Sequence, residues 1–119
     1  MFVTQGKEIV SQWLVGSSPP APSYCSVGST STAVTLSDTA LGSEYEITRR
    51  SFDTKTMPSK TSIEYEMILP STTLTSGYVR EVGIFTGSPT GSIFNHSTFY
   101  QLEKTGDIEM QIITGYRVI

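Results

Sequence analysis

Residues 62–69 read SIEYEMIL, and their period decides the fold class. Ile63, Tyr65, Met67 and Leu69 alternate with Glu64 and Glu66. Successive side chains of a strand point to opposite faces, so the first set is expected to meet a core and the second to meet water. The same texture recurs outward from this stretch. SEYEITRRSF (43–52), YVREVGIF (78–85), SIFNHSTFYQL (92–102) and IEMQIITGYRVI (108–119) are dense in Ile, Val, Tyr, Phe and Thr. Turn chemistry separates them at Met57-Pro58-Ser59, at Pro70-Ser71, from Gly87 to Gly91, and at Thr105-Gly106-Asp107. Five or six strands joined by short turns predict a mainly β chain, an antiparallel β-sandwich over residues 44–119. In the last strand Ile108, Met110, Ile112, Tyr116 and Val118 form the expected inner set, against Glu109, Gln111 and Arg117.

The stretch 78–85 departs from this alternation. Tyr78, Arg80, Val82 and Ile84 share one face, Val79, Glu81, Gly83 and Phe85 the other, and neither face is purely polar. Such a strand is central and covered on both sides, so Arg80 and Glu81 need partners, because an unpaired buried charge is costly. Either Glu81 faces an Arg or Lys of a neighbouring strand, or it bridges to another subunit. Gly83 inside the strand predicts close approach of another backbone or an aromatic ring.

Before the strands, TQGKEIVSQWLVG (4–16) carries the helical pattern, with Ile9, Val10, Trp13 and Leu14 on one face. Thr4 is expected to cap its start, Gly16 to sit in the left-handed conformation past its end, and Pro19, Pro20 and Pro22 to prevent continuation. Gly6 in the first turn weakens the helix. A helix this short is marginal alone, so its apolar face docks on the core or on a neighbouring subunit. Residues 17–43 read as a long irregular loop, strand-like only over Tyr24–Val27, with Leu36, Ala40 and Leu41 available to pin its second half. A connection of that length is expected to be functional, packed on a partner, or partly mobile.

The chain of 119 residues is expected to form a single domain with a real core. A net charge of −3 from scattered residues leaves no basic footprint for nucleic acid. No run is long enough to span a membrane and no secretory signal is present, so synthesis in a cytosol is expected, with no membrane partner. Ser and Thr number 34, while charged residues are only 16% of the chain. That balance suits β-structure and surfaces covered by partners more than it suits a helical enzyme.

Catalytic chemistry has little to work with. His96, the single histidine, has no Cys nearby and no acidic residue within several positions, so a strand histidine is expected rather than a base. Cys25 is the single cysteine and reads as a small buried residue, without disulfide partner or metal-ligand spacing. Glu44 with Glu46, and Glu64 with Glu66, are spaced to share a strand face; such pairs can do acid–base work or bind a cation, but a solvated strand face gives the same spacing. Asp38, Asp53 and Asp107 stand beside turn residues and read as caps. Asn95-His96-Ser97 fits a glycosylation acceptor by accident. No catalytic residue, cofactor or metal site is expected.

The order of SQWLVG, then SDTALGSE, then REVGIF, then a Gly-containing turn, then FYQLEKTGDIEMQIITGYRV resembles a family of small β-rich virion structural proteins of tailed bacteriophages and archaeal tailed viruses, of the fibre N-terminal or baseplate-adaptor kind. The matching positions are Asp38, Thr39, Ala40, Leu41 and Glu44, then Glu81, Val82, Gly83, Ile84 and Phe85, then Phe99, Lys104 and Thr105. Family members often lead into a fibre or receptor-binding region, whereas this sequence ends at Ile119. The resemblance therefore implies an adaptor, baseplate or tail component, or a head-surface decoration protein, residing in the virion as a homo-oligomer bound to other virion proteins. Expected contact residues are Ile9, Val10, Trp13 and Leu14 of the helix, Leu36 and Leu41 within the loop 17–43, and Arg80 and Glu81. A carbohydrate- or receptor-binding sandwich is the competing expectation, with Tyr24, Tyr45, Tyr78, Phe99, Tyr100 and Tyr116 as stacking surfaces.

Overall fold

Two antiparallel sheets and one short helix make up the computed structural model, which describes residues 1–118; Ile119, the last residue of the expected closing strand, lies outside the described residues. Helix α1 (Thr4–Leu14) is followed by β1 (Tyr24–Gly28), a 3₁₀ turn (Glu46–Thr48), β2 (Arg50–Ser51), β3 (Thr54–Ser59), β4 (Ser62–Leu69), β5 (Ser76–Phe85), β6 (Ile93–Thr105) and β7 (Met110–Arg117). One sheet has the order β2-β1-β5-β6, the other β3-β4-β7. β3-β4 and β5-β6 are hairpins within a sheet, while the links β2-β3, β4-β5 and β6-β7 cross between sheets. The mainly β architecture, its two antiparallel sheets and its single N-terminal helix match the expected sandwich.

The sheets meet through Cys25, Val27 and Val79 on one side and Met67 and Leu69 on the other, with Leu74 closing one end. Val82, Met110 and Ile112 pack at the margin. Of the expected inner sets, Met67 and Leu69 are buried and Ile63, Tyr65, Met110, Ile112 and Tyr116 are half-buried. Ile108 and Val118 are exposed instead, because both lie outside β7, where the strand no longer dictates their direction.

Several boundaries differ from expectation for identifiable reasons. Within the loop 17–43 the strand-like stretch Tyr24–Val27 does form a strand, β1, but its place between β2 and β5, inside the four-stranded sheet, was not expected. Five residues with two inward apolar side chains carry too little pattern to announce a central strand. SEYEITRRSF is no continuous strand: Thr48 turns inward, accepting from the Val27 amide at 3.0 Å and donating to the Tyr45 carbonyl at 2.6 Å. That turn swings Ile47 into solvent. Met57-Pro58-Ser59 is no turn; it ends β3, and the chain reverses at Lys60-Thr61. Pro58 is tolerated because β3 is an edge strand whose register shifts between Thr56 and Ser59.

The helix begins at Thr4 with Val3 as its cap residue, and no side chain caps it, so Thr4 is not the expected cap. It ends at Leu14 rather than residue 16, and Gly16 takes the left-handed conformation at φ 90°. Gly6 weakens helix propensity, yet it is buried, and a Cβ there would run into the Phe94 carbonyl and the Phe2 ring. It is the contact point at which α1 rests on β6, with Ile9, Ile84 and Phe94 packed beside it.

In β5 the alternation breaks at Arg80. Val79 faces Leu102 and Glu81 faces Thr98, so residues 99–101 of β6 bulge opposite Arg80. Val79 therefore turns into the inter-sheet core with Val82, while Glu81, Gly83 and Phe85 remain on the outer face of the four-stranded sheet. Leu41 and the Phe85 ring lie over Gly83, which fits the expected close approach.

Candidate functional site

The outer face of the four-stranded sheet is where the polar chemistry collects. β5 projects Glu81 outward, and the segment after β1 folds back over it. The Glu81 carboxylate is fully buried and has four hydrogen-bond partners, three of them backbone N–H donors. Gly42 N–H donates to Oε1 at 2.9 Å, Ser43 N–H to Oε2 at 2.9 Å, Thr30 N–H to Oε2 at 3.2 Å, and His96 Nε2 stands 2.9 Å from Oε1. Those four partners fill the lone-pair directions of a carboxylate. Gly28 makes room for it, since a Cβ there would strike the Glu81 carboxylate and the Ser43 carbonyl.

His96, paired across from Gly83 in β6, is itself buried. Its other nitrogen, Nδ1, lies 2.8 Å from Asp38 Oδ2. Each ring nitrogen of His96 therefore stands at hydrogen-bond distance from a carboxylate oxygen. The backbone N–H of Thr35 holds the Asp38 carboxyl below the usual carboxylate range, with the Thr35 hydroxyl and His96 adding to it and partial desolvation opposing. The Met1 ammonium donates to the His96 carbonyl at 2.6 Å, and partial burial lowers its pKa.

A second polar hub anchors the far end of the same segment. The Arg49 guanidinium grips Glu44 through Nε at 2.8 Å and Nη2 at 2.5 Å, donates from Nη1 to the carbonyls of Gly87 and Pro89, and lies 3.8 Å from the centroid of the Phe85 ring. Glu44 Oε2 also accepts from Ser26 Oγ at 2.8 Å. Bidentate, stacked arginines of this kind fix geometry as well as charge.

Chemically the cluster is a fastener. Neither nitrogen of His96 is left to take a proton from a nucleophile, and Glu81 has no free acceptor direction. Among the described residues no group of three or more His, Cys, Asp or Glu side chains is placed to hold a metal ion. Burial pushes the Cys25 thiol up to about 12, the signature of an inert structural thiol.

The structure joins two separated motifs into one unit. Asp38, Leu41 and Glu44 of SDTALGSE lie over Glu81, Gly83 and Phe85 of REVGIF. Asp38 reaches Glu81 through His96, Leu41 packs in one apolar cluster with Phe85, and Glu44 reaches Phe85 through Arg49. Thr39 and Ala40 are exposed on the crest of the loop. Phe99, Lys104 and Thr105 are not part of this unit. Lys104 is fully buried opposite Gly77, its ammonium donating to the Thr105 carbonyl at 2.9 Å.

The expected contact residues divide by burial. Ile9, Leu41 and Glu81 are buried within the chain and Val10 is half-buried, so the first three present nothing to a partner. Trp13, Leu14 and Leu36 are exposed. The partners of the paired charges also differ from expectation: Glu81 meets His96 and loop amides, not an Arg or Lys and not another subunit. Arg80 donates to the Ser29 carbonyl at 3.1 Å and to Gln101 Oε1 at 2.6 Å, beside the Tyr78 ring. Of the aromatic residues considered for stacking on a glycan, Tyr78, Phe99 and Tyr100 are exposed, whereas Tyr24, Tyr45 and Tyr116 are half-buried.

Sequence reasoning missed His96 and Arg49 as hub residues. For His96 the signal was a buried acid on a neighbouring strand still lacking a partner; adjacency along the chain hid it. Arg49, next to Arg50 in a stretch that reads as a strand, gave no sign of turning inward.

No helix among the described residues is long and apolar enough to cross a membrane. No protein-family model, curated protein or solved structure matches this chain.

Proposed function

We propose that this chain is a structural subunit of a tailed virus particle, assembling through protein–protein contacts in the tail, baseplate or fibre-attachment region. The observation that carries the assembly reading is a set of large apolar side chains left exposed on the folded sandwich. Phe99, Leu102 and Ile113 line one groove beside β6 and β7, Tyr78 and Tyr100 stand exposed on β5 and β6, and Trp13, Leu14 and Val15 are exposed at the helix end. Adjacent exposed apolar side chains, as in the groove of Phe99, Leu102 and Ile113, are a mark of surfaces that other chains cover. The chemistry of the polar cluster supports the same reading, because it fastens a loop and leaves no reactive group free. Placement in a tailed virus rests on the resemblance of SDTALGSE and REVGIF, and the docking of one on the other gives that pair of motifs a shared physical purpose.

The test is to tag the chain in the cell that makes it, purify particles, and locate the tag by mass spectrometry and electron microscopy. Many copies at the tail end are expected. Copies on the head surface would replace the tail placement with a decoration role. A chain abundant in the cell and missing from the particles would defeat the reading.

A further inference from the structure

Four strands end the two sheets, and three of them are blunted. β2 is two residues long and carries Arg50. β3 carries Lys55, Pro58 and a register shift. β6 is bulged over residues 99–101, and its start is covered by the chain's own Met1-Phe2, with Phe2 bridging to Asn95. Short length, charge, proline, bulges and covering segments are the devices by which sheet edges avoid pairing. β7 carries one charge, Arg117 at its last position, and, among the described residues, no proline, bulge or covering segment. It pairs with β4 in unbroken register from Arg117 opposite Ser62 to Met110 opposite Leu69, and among the described residues no strand pairs with its other side. Residues 110–116, MQIITGY, contain no charge and no proline.

We infer that β7 is the edge on which a second copy of this chain docks, β7 against β7, antiparallel about a two-fold axis at Ile113. The sequence of the strand is complementary to itself in that register. On the outer face Ile113 meets its own copy and Gln111 meets Gly115, and extending the paired strand by one residue at its start brings Glu109 opposite Arg117 at both ends. On the inner face Met110 meets Tyr116 and Ile112 meets Thr114. Glu109, Gln111, Ile113, Gly115 and Arg117 are all exposed, and neither Glu109 nor Arg117 forms an ion pair among the described residues. Centring the pair one residue to either side sets Glu109 against Gly115 or Arg117 against Gln111, so the opposite charges select one register.

The unequal widths of the sheets favour the same docking. A groove of about 440 Å³, lined by Val82, Phe99, Leu102, Met110 and Ile112, lies where the three-stranded sheet ends. A second β7 continues that sheet over the groove and covers the exposed Phe99 and Leu102. Main-chain hydrogen bonds between edges then supply affinity, while the side-chain pairs supply register. Pairing β7 with itself uses up the open edge, so the assembly closes as a dimer rather than growing into a fibre.

This inference rests on the assembly reading in its homo-oligomeric part alone. A dimer of a chain absent from particles defeats only the virus placement; particle-bound copies without β7 pairing defeat only this interface. The test is sedimentation of the full chain, with circular dichroism to check folding. A dimer is expected for the unaltered protein, and Ile113→Lys, which sets two lysines against each other at the axis, is expected to give a monomer. Glu109→Lys and Arg117→Glu each weaken dimerisation by about tenfold, and the double variant restores it. These two exposed positions keep the test decisive if Ile113→Lys does not fold. In a third arm, Ile113→Cys treated with oxidised glutathione, which takes up the two electrons released by the thiols, gives a disulfide-linked dimer. A monomeric unaltered protein, an open-ended assembly, or a dimer indifferent to the charge swap would overturn the inference.

Discussion

Glu81 ties the loop after β1 to the four-stranded sheet through one buried carboxylate. It is a carboxylate with no exposed surface, and its four partners come from a loop and a neighbouring strand that only folding brings together. Removing one member of such an arrangement leaves buried donors unpaired, a larger loss than the net worth of the bonds themselves. Glu81→Ala is therefore expected to lower stability by about 3–5 kcal/mol. Glu81→Gln keeps the volume but sets an NH2 group against donors, and is expected to lose about 2 kcal/mol. Urea unfolding gives the magnitudes, and hydrogen exchange gives the cause: the amides of Thr30, Gly42 and Ser43 lose protection together. If they remain protected in the Ala variant, the loop is held by something other than this carboxylate. The need of Arg80 and Glu81 for partners was legible in YVREVGIF. The partners were not, because they stand 15 to 51 residues away along the chain.

At the scale of elements, the strands read correctly where one face is dry and the other wet, as in β4 with its two glutamates. They read poorly where side-chain direction is set by a neighbour. Thr48 binds the backbone of β1 and converts an apparent strand into a turn, and Pro58 is accommodated only because β3 has no neighbour on its outer side. The helix gives the sharpest contrast between local and tertiary preference. Replacing Gly6 by Ala favours an isolated helix by up to about 1 kcal/mol. In the protein the added methyl runs into the Phe94 carbonyl and the Phe2 ring, and overpacking of this kind costs about 1–3 kcal/mol. Gly6→Ala is expected to lower the melting temperature, with loss concentrated in the contact of α1 with β6. A variant more stable than the original would mean that the helix does not rest on the sheet at this point.

For the molecule as a whole, the loop between β1 and β2 acts as a cover fastened at two places, and one fastening is sensitive to acid. Thr35 holds the folded-state pKa of Asp38 below the value near 4 of an unfolded carboxyl. A depressed carboxylate contributes stability that is complete above the unfolded value and disappears as the pH falls through the folded one. Stability is therefore expected to fall on the acid side of pH 4. Exposure of the 29–43 segment should lead global unfolding, as followed by limited proteolysis with an acid-active protease. Asp38→Asn should be less stable than the original at neutral pH and should show a shallower acid limb. An acid limb unchanged by that substitution would remove Asp38 from the fastening.

By itself the sequence determined the class of the fold, its inner and outer strand faces over β4, the helix and its left-handed stop at Gly16. All of these follow from interactions within a few residues: a two-residue period, a 3.6-residue period, and the backbone freedom of glycine. Only the tertiary structure decided that β1 lies inside a sheet, that the face of β5 changes at a bulge in its partner, and that SDTALGSE closes over REVGIF through His96 and Arg49. Those outcomes depend on strand register and on buried charges finding partners across the fold, and neither has a local period for a sequence to display.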